Sequence, residues 1–180
     1  LFVEVKAEYA KEMVTGFIQL DGVTVGAVAN RTAIYDENGE KAEEFAAVLT
    51  TDGAYKAAEF VTFCNAFEIP VLSLTNVKGF EANVRAEKTI AKAAAKLVYA
   101  FSNADVPKVN VITGEAYGSA YVAMNSKSVG ADMVYAWSQA SIGMMDASLA
   151  AKIMYADEIA AADDVTAKIN EKASEYAALQ

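Results

Sequence analysis

The sequence predicts an α/β protein with a mainly parallel sheet and helices packed outside it. Three times along the chain, a β-branched or apolar run is followed by a turn and then by a helical pattern. Parallel strands need long crossover connections, and a helix is the usual one. Because 54% of the 180 residues are hydrophobic, the chain can bury a substantial core, and we expect a single domain over residues 1–180.

The first predicted elements are a hairpin and a helix. Val14–Leu20 and Val23–Ala29 are β-rich runs that flank Asp21-Gly22, a dipeptide typical of a two-residue hairpin turn. A helix is then predicted from about 52 to 67. Its apolar residues recur at helical spacing and should form its buried face: Ala57, Phe60, Val61, Cys64 and Phe67.

The next repeat contains a buried strand and a long helix. Val71–Thr75 is a short run that follows a proline and leads to the turn Gly79-Phe80. The helix expected from about 85 to 103 is amphipathic. Its apolar face carries Ile90, Ala93, Ala94, Leu97, Val98 and Phe101, and its opposite face carries Lys88, Lys92 and Lys96, which we interpret as a solvated surface.

The last repeat begins with the β-branched run Val109–Thr113, which we expect to be an inner strand. A helix should follow from about Gly118 to Ser128. Two short strands are predicted at Met133–Trp137 and Ser141–Met145. One or two helices after that would form a C-terminal helical extension over about residues 147–180.

Composition excludes several classes of function. The chain has no histidine, so a Ser-His-Asp relay, a Cys-His relay and a His-ligated zinc site cannot be built within it. A net charge of −9 argues against nucleic-acid binding, and no apolar run approaches the roughly 18 residues of a membrane span. The single cysteine, Cys64, cannot form an internal disulfide, so we expect a packed core thiol and a reducing, cytoplasmic location.

The segment after Val109–Thr113 is the candidate site. Gly114–Tyr121 is a small-residue turn that opens an apolar helix. The first N–H groups of a helix lack intrahelical partners and lie at the positive end of its dipole. Such donors can form an oxyanion hole, which stabilises an enolate or a tetrahedral oxyanion without a titrating side chain. This chemistry suits a chain without histidine, and we expect no metal.

Several motifs, taken in order, resemble the carboxyltransferase subunit of biotin-dependent acyl-CoA carboxylases and decarboxylases. The resemblance is to the C-terminal domain of that subunit and covers roughly residues 1–146. The motifs that carry it are Val14–Phe17, Asp21–Gly26, Phe63–Pro70, Gly79-Phe80, Ala95–Ser102, Ala116–Tyr121 and Gly130–Asp132.

The resemblance implies a crotonase fold of repeated ββα units and a transfer of CO2 between N1 of biotin and the α-carbon of an acyl-CoA. In that family the N-terminal domain mostly holds the acyl-CoA, the C-terminal domain mostly holds carboxybiotin, and the active site lies between domains of different subunits. The chain would therefore be a biotin-side half-site in a homo-oligomer. Its implied partners are an N-terminal carboxyltransferase domain, a separate biotin carrier and a biotin carboxylase.

The resemblance also assigns roles to the turn at the start of the helix expected from about Gly118 to Ser128. The family's Gly-Gly-Ala turn falls on Gly118, Ser119 and Ala120. The backbone N–H groups of Ser119 and Ala120 would bind the ureido oxygen of biotin as it gains negative charge. A serine in place of the middle glycine keeps the donor, provided that the backbone there does not demand glycine.

Other residues are expected to form the walls of the same pocket. The Gly79-Phe80 turn would lie opposite, Tyr117 and Tyr121 flank the donors, and Val122 would help to determine which acyl chain fits. The family's Asp-x-Pro-Gly-Phe motif is here Asn76–Phe80, which suggests a divergent member.

Less specific interpretations remain open at this stage. The turn at 118–120 could be a small-residue surface that packs on the sheet, and the two tyrosines could be core or interface residues. The fold could also belong to a free-standing crotonase-like hydratase, isomerase or hydrolase, for which Glu115 and Asp146 are the nearby carboxylates. A non-catalytic assembly domain is a third alternative.

Overall fold

A seven-stranded, mainly parallel sheet forms the centre of the structure, a computed structural model that describes residues 1–178. Its main path has the order β1-β2-β3-β6-β7-β8, and β9 also pairs with β7. The strands are β1 (Phe2–Glu4), β2 (Met13–Leu20), β3 (Val23–Asn30), β6 (Val71–Val77), β7 (Lys108–Tyr117), β8 (Met133–Ala136) and β9 (Ser141–Gly143). Two further strands, β4 (Ala33–Tyr35) and β5 (Lys41–Glu44), form a separate hairpin.

Within residues 1–178, six α-helices connect and follow these strands. They are α1 (Thr51–Ala66), α2 (Val84–Asn103), α3 (Gly118–Ala123), α4 (Ala147–Met154), α5 (Ala156–Ala160) and α6 (Val165–Ala177), with a 3-10 turn at Lys127–Val129. The two long helices, α1 and α2, pack on each other. Both begin at a side-chain cap, since Thr50 accepts a hydrogen bond from the N–H of Gly53 and Asn83 accepts one from that of Ala86. No helix of residues 1–178 is both long and apolar enough to cross a membrane.

The predicted hairpin is confirmed. Strands β2 and β3 pair antiparallel with Leu20 opposite Val23, so the loop between them has two residues. Asp21 and Gly22 both have positive φ, of 50° and 80°, as a type I′ turn requires. From β3 onward the sheet is parallel, and β7 lies between β6 and β8 as expected for an inner strand.

The buried faces of the long helices largely follow the predicted spacing. Cys64 is fully buried, and burial raises the pKa of its thiol to about 12, which makes it a core residue without thiolate reactivity at neutral pH. The assignment of Phe67 to the buried face was wrong: α1 ends at Ala66, and Phe67 is 65% exposed. Lys88, Lys92 and Lys96 are exposed, which confirms the solvated face of α2.

The C-terminal third departs from the predicted bounds. Strand β7 continues through residues 114–117, which were expected to form a turn, because it pairs there with β9. Helix α3 begins at Gly118 as predicted but ends at Ala123 and not near Ser128, since Asn125 has a positive φ of 59°. Three helices, not one or two, follow Ala147, and the last two residues of the expected extension lie outside the described residues.

Candidate functional site

The turns that follow β6 and β7 lie at the same edge of the sheet. These two strands are parallel neighbours, and Val77 near the end of β6 is opposite Ala116 near the end of β7. The chain then enters the Gly79-Phe80 segment after β6 and helix α3 after β7. In open parallel sheets this edge, at the carboxyl ends of the strands, is where ligands usually bind.

Gly118 is the junction between β7 and α3, and the backbone there requires glycine. Its φ is +56°, a left-handed conformation that L side chains rarely adopt. A Cβ atom at this position would also lie 2.8 Å from the carbonyl oxygen of Met144, which follows β9. The glycine therefore permits both the sharp entry into the helix and the close approach of a second chain segment.

The next two residues present the candidate donors. Ser119 is exposed, Ala120 is buried, and neither has a positive φ, so a serine fits at 119 without backbone strain. Helix α3 has no side-chain cap. Within the described residues, the N–H groups of Ser119 and Ala120 make no hydrogen bond to another element of the chain. Both are first-turn groups, which the helix itself leaves without partners.

The two flanking tyrosines have different surroundings. Tyr117 is buried, and its hydroxyl donates a hydrogen bond of 2.7 Å to Oγ of Ser141, which joins the end of β7 to β9. Tyr121 is half-buried, and burial raises the pKa of its phenol, which therefore stays protonated at neutral pH. Val122 is 37% exposed.

The Gly79-Phe80 segment is held by backbone pairing with residues 47–49. The carbonyl of Gly79 accepts a hydrogen bond of 2.9 Å from the N–H of Leu49, and Phe80 forms a parallel bridge with the same residue. A Cβ atom on Gly79 would have open space around it, and its φ lies outside the left-handed region. The structure therefore brings this segment to the same edge of the sheet as Gly118 but does not require glycine at position 79.

Asn76 and Met144 support this region of the structure, and the sequence analysis did not predict either role. Oδ1 of Asn76 accepts a hydrogen bond of 3.0 Å from the N–H of Glu115, where the register between β6 and β7 shifts. A Cβ atom on Gly114 would lie 2.6 Å from that oxygen, which explains the glycine. Nothing in the sequence indicated the carbonyl of Met144.

Glu115 and Asp146, the candidate carboxylates of the alternative hydratase hypothesis, have different surroundings. Oδ1 of Asp146 accepts hydrogen bonds of 3.0 and 3.1 Å from the N–H groups of Ser148 and Leu149, so this carboxylate caps α4. Glu115 is half-buried on β7. Across residues 1–178, no group of three or more acidic or cysteine side chains is arranged to hold a metal ion.

Comparison with known proteins gives the following matches. The family model for the carboxyl transferase domain matches residues 1–180. The chain is 42% identical over 176 residues to the methylmalonyl-CoA carboxyltransferase 12S subunit of Propionibacterium freudenreichii subsp. shermanii, covering 97% of this chain and 32% of that protein. It is 44% identical over 159 residues to the propionyl-CoA carboxylase beta chain of Roseobacter denitrificans, covering 88% of this chain and 29% of the relative.

Solved structures give the same result. A transcarboxylase 12S hexamer, with methylmalonyl-coenzyme A and methylmalonic acid bound, matches with a TM-score of 0.86 and 41% identity over 100% of this chain and 33% of that one. The P. aeruginosa geranyl-CoA carboxylase beta subunit matches with a TM-score of 0.82 at 23% identity, over 99% of this chain and 32% of that one, and shows the fold alone. The expected crotonase-like α/β fold is confirmed. The chain spans about a third of the length of these relatives.

Proposed function

The chain belongs to the carboxyl transferase domain family, and from that premise we propose that it is the biotin-side half of a carboxyltransferase active site. The relatives at about 40% identity are subunits of biotin-dependent enzymes that act on acyl-CoA substrates, which supports the reaction class. Because the chain covers only about a third of their length, the rest of the catalytic unit must come from another part of the protein or another chain.

The turn at Gly118, Ser119 and Ala120 is the observation that carries the proposal. The positive φ of Gly118 starts α3 sharply at the carboxyl edge of the sheet, and the N–H groups of Ser119 and Ala120 make no hydrogen bond to another described element. Two adjacent main-chain donors fit an oxygen that gains negative charge, and the ureido oxygen of biotin is such a group. Biotin, when bound on its carrier, supplies the carboxyl group that is transferred.

The residues of this chain would bind and orient, and would not exchange protons. Burial raises the pKa of the Tyr121 phenol, which stays protonated at neutral pH, and the hydroxyl of Tyr117 donates its hydrogen bond to Ser141. Preorganised donors at the site of developing charge are worth roughly 10²–10³ in rate each. The Gly79-Phe80 segment, brought to the same edge by β6, would form the facing wall, and Val122 would contact the acyl chain.

The partners follow from the same proposal. The remaining carboxyltransferase domain would supply the acyl-CoA side, and a biotin carrier and a biotin carboxylase would complete the cycle. The transcarboxylase neighbour is a hexamer, which supports a homo-oligomer here. A cytoplasmic location is part of the proposal, and the single buried thiol of Cys64 is consistent with it. The capping role of Asp146 makes the hydratase alternative less suitable.

Reconstitution tests this function. The assay measures transfer of labelled carboxylate from methylmalonyl-CoA to a biotinylated carrier. It is run with the purified chain, with the remaining part of the carboxyltransferase subunit, and with the two together. We expect no transfer by the chain alone and transfer by the mixture. Decarboxylation of methylmalonyl-CoA by the chain without partners would overturn the half-site proposal. Loss of both transfer and biotin binding in a correctly assembled mixture would favour an assembly domain.

A further inference from the structure

Two central strands of the sheet contain polar side chains where apolar ones are the rule. Strands of a parallel sheet are covered on both faces and usually read as nearly continuous hydrophobic runs. Here Ser73 and Thr75 on β6 and Asn110 on β7 are all 0% exposed. Burial of a polar group costs free energy unless it is hydrogen-bonded, so these three residues need partners that justify their presence.

Their shared partner is the end of helix α3. Oγ1 of Thr75 donates to Oδ1 of Asn110 at 2.8 Å and lies 3.3 Å from the carbonyl oxygen of Met124. Nδ2 of Asn110 donates to the same carbonyl at 3.2 Å. Met124 is the C-cap residue of α3, and the last carbonyl groups of a helix have no intrahelical donor. The two side chains therefore satisfy an otherwise unpaired group at the end of this helix.

The residue after Met124 is held in the same way. Asn125 is fully buried and has a φ of 59°, a conformation that asparagine adopts more readily than other non-glycine residues. Its Nδ2 donates to Oγ of Ser73 at 3.2 Å and to the carbonyl oxygen of Val109 at 3.3 Å. Strands β6 and β7 thus bind the exit of α3 through two consecutive residues.

The other end of α3 is bound to β9. Tyr117 donates to Ser141, and Gly118 lies against the carbonyl of Met144. Between these attachments α3 has only six residues, or about 9 Å at 1.5 Å per residue. Ser119 and Ala120 therefore lie only five and four residues before the Met124 anchor, or about 6–8 Å along the helix axis, and a tilt of the helix would move their N–H groups directly.

We propose that Thr75 and Asn110 are positioning residues that hold α3, through the carbonyl of Met124, in the orientation that aims the Ser119 and Ala120 N–H groups at the reacting oxygen. This inference rests on the proposed function. Thr75, Asn110 and the carbonyl of Met124 are hydrogen-bonded to one another, and a shift of α3 would leave these buried polar groups unpaired. Misplacement of a catalytic group by about 1 Å can cost up to 10²-fold in rate, so a helix of this length needs such an anchor.

The test compares Thr75→Val with Thr75→Ser in the reconstituted enzyme. Valine keeps the shape of threonine and removes the hydroxyl, whereas serine keeps the hydroxyl. We expect Thr75→Val to lower kcat about 10-fold with little change in KM, since donors are displaced but the binding surface is kept. Thr75→Ser keeps the hydroxyl, so its kcat should stay within about two-fold of the parent value. Amide hydrogen exchange over residues 118–126 should rise about 10-fold in the valine variant only.

Thr15→Val is the matched control. Thr15 is 1% exposed on β2, and its hydroxyl donates to the carbonyl of Val5, far along the sheet from α3. It should lower global stability to a similar extent and leave both kcat and exchange over 118–126 unchanged. Equal loss of kcat in both valine variants, or unchanged exchange at α3 in Thr75→Val, would overturn the proposal. If the parent mixture shows no transfer, the function fails, but the exchange comparison still decides whether Thr75 anchors α3.

Discussion

The two glycine-containing turns at the carboxyl edge of the sheet are fixed by different means. The turn at Gly118 depends on the glycine itself, because φ is +56° and a Cβ atom would meet the carbonyl of Met144 at 2.8 Å. The segment at Gly79 is held by main-chain pairing with Leu49, and a side chain there would have open space. The backbone therefore requires glycine at position 118 but not at position 79.

The sequence pattern treats the two glycines alike, whereas the backbone geometry distinguishes them. Both glycines follow a central parallel strand, and both were assigned to the pocket on the same resemblance. Only the Gly118 turn combines a left-handed backbone that needs glycine with first-turn N–H groups that make no hydrogen bond to another described element. The Gly118 turn is therefore the better place to test the chemistry.

The largest expected effect comes from Ala120→Pro. Proline has no N–H, so the variant loses one donor of the turn, and it is tolerated in the first turn of a helix. We expect kcat of the reconstituted enzyme to fall by about 10²–10³, the usual loss for one oxyanion-hole donor. Steady-state kinetics measures the loss, and circular dichroism checks the fold.

Val165→Pro is the control for that substitution. It introduces proline at the first residue of α6, where the Asp164 side chain caps through the N–H of Ala167 and does not use that of Val165. This variant should keep its activity. A fully active Ala120→Pro enzyme would leave no oxyanion role for the turn.

The second prediction compares alanine at the two glycines directly. Gly118→Ala should lower the free energy of unfolding by about 2–3 kcal/mol, from the left-handed backbone and the contact with Met144. Gly79→Ala should change it by less than about 1 kcal/mol, in the stabilising direction, because the unfolded chain loses freedom. Urea unfolding of the purified chain measures both values. Equal destabilisation by the two variants would remove the distinction between the turns.

Much of this architecture follows from local sequence signals. Asp21-Gly22 predicted a two-residue turn because few other dipeptides accept positive φ at both positions. The helical spacing of apolar residues placed the starts of α1 and α2 at about 52 and 85, one residue from where they begin. The start of α3 at Gly118 was predicted from a β-branched run followed by a small-residue turn.

The errors lie where distant residues decide the local structure. Strand β7 extends to Tyr117 because of pairing with β9 and the bulge filled by Asn76. Helix α3 stops early because Asn125 is held by Ser73, a residue 52 positions away. The donor assignment at Ser119 and Ala120 came from a family resemblance, and it stays a prediction.

The third prediction concerns the link between the two turns. Asn76→Ala removes the acceptor for the N–H of Glu115 and opens space beside Gly114, which should cost about 1–2 kcal/mol of stability. Asn76→Asp keeps an acceptor oxygen and should cost less than the alanine variant. Thermal unfolding of the three proteins tests the order. If the aspartate variant is as unstable as the alanine variant, the hydrogen bond is not what supports this bulge.

The smallest effect is expected at the most exposed residue of the Gly118 turn. Ser119 contributes a backbone N–H, and its φ lies outside the left-handed region, so Ser119→Ala and Ser119→Gly keep the donor without strain. We expect both variants to keep kcat within about three-fold of the parent, well below the 10²–10³ loss for a deleted donor. Kinetics of the reconstituted enzyme, with circular dichroism as the folding control, distinguishes a role of the Ser119 backbone N–H from a role of its hydroxyl. A Ser119→Ala enzyme that is folded but inactive would move the chemistry from the main chain to the serine hydroxyl, and the Gly118 turn would then act as a support for a nucleophile or a side-chain donor.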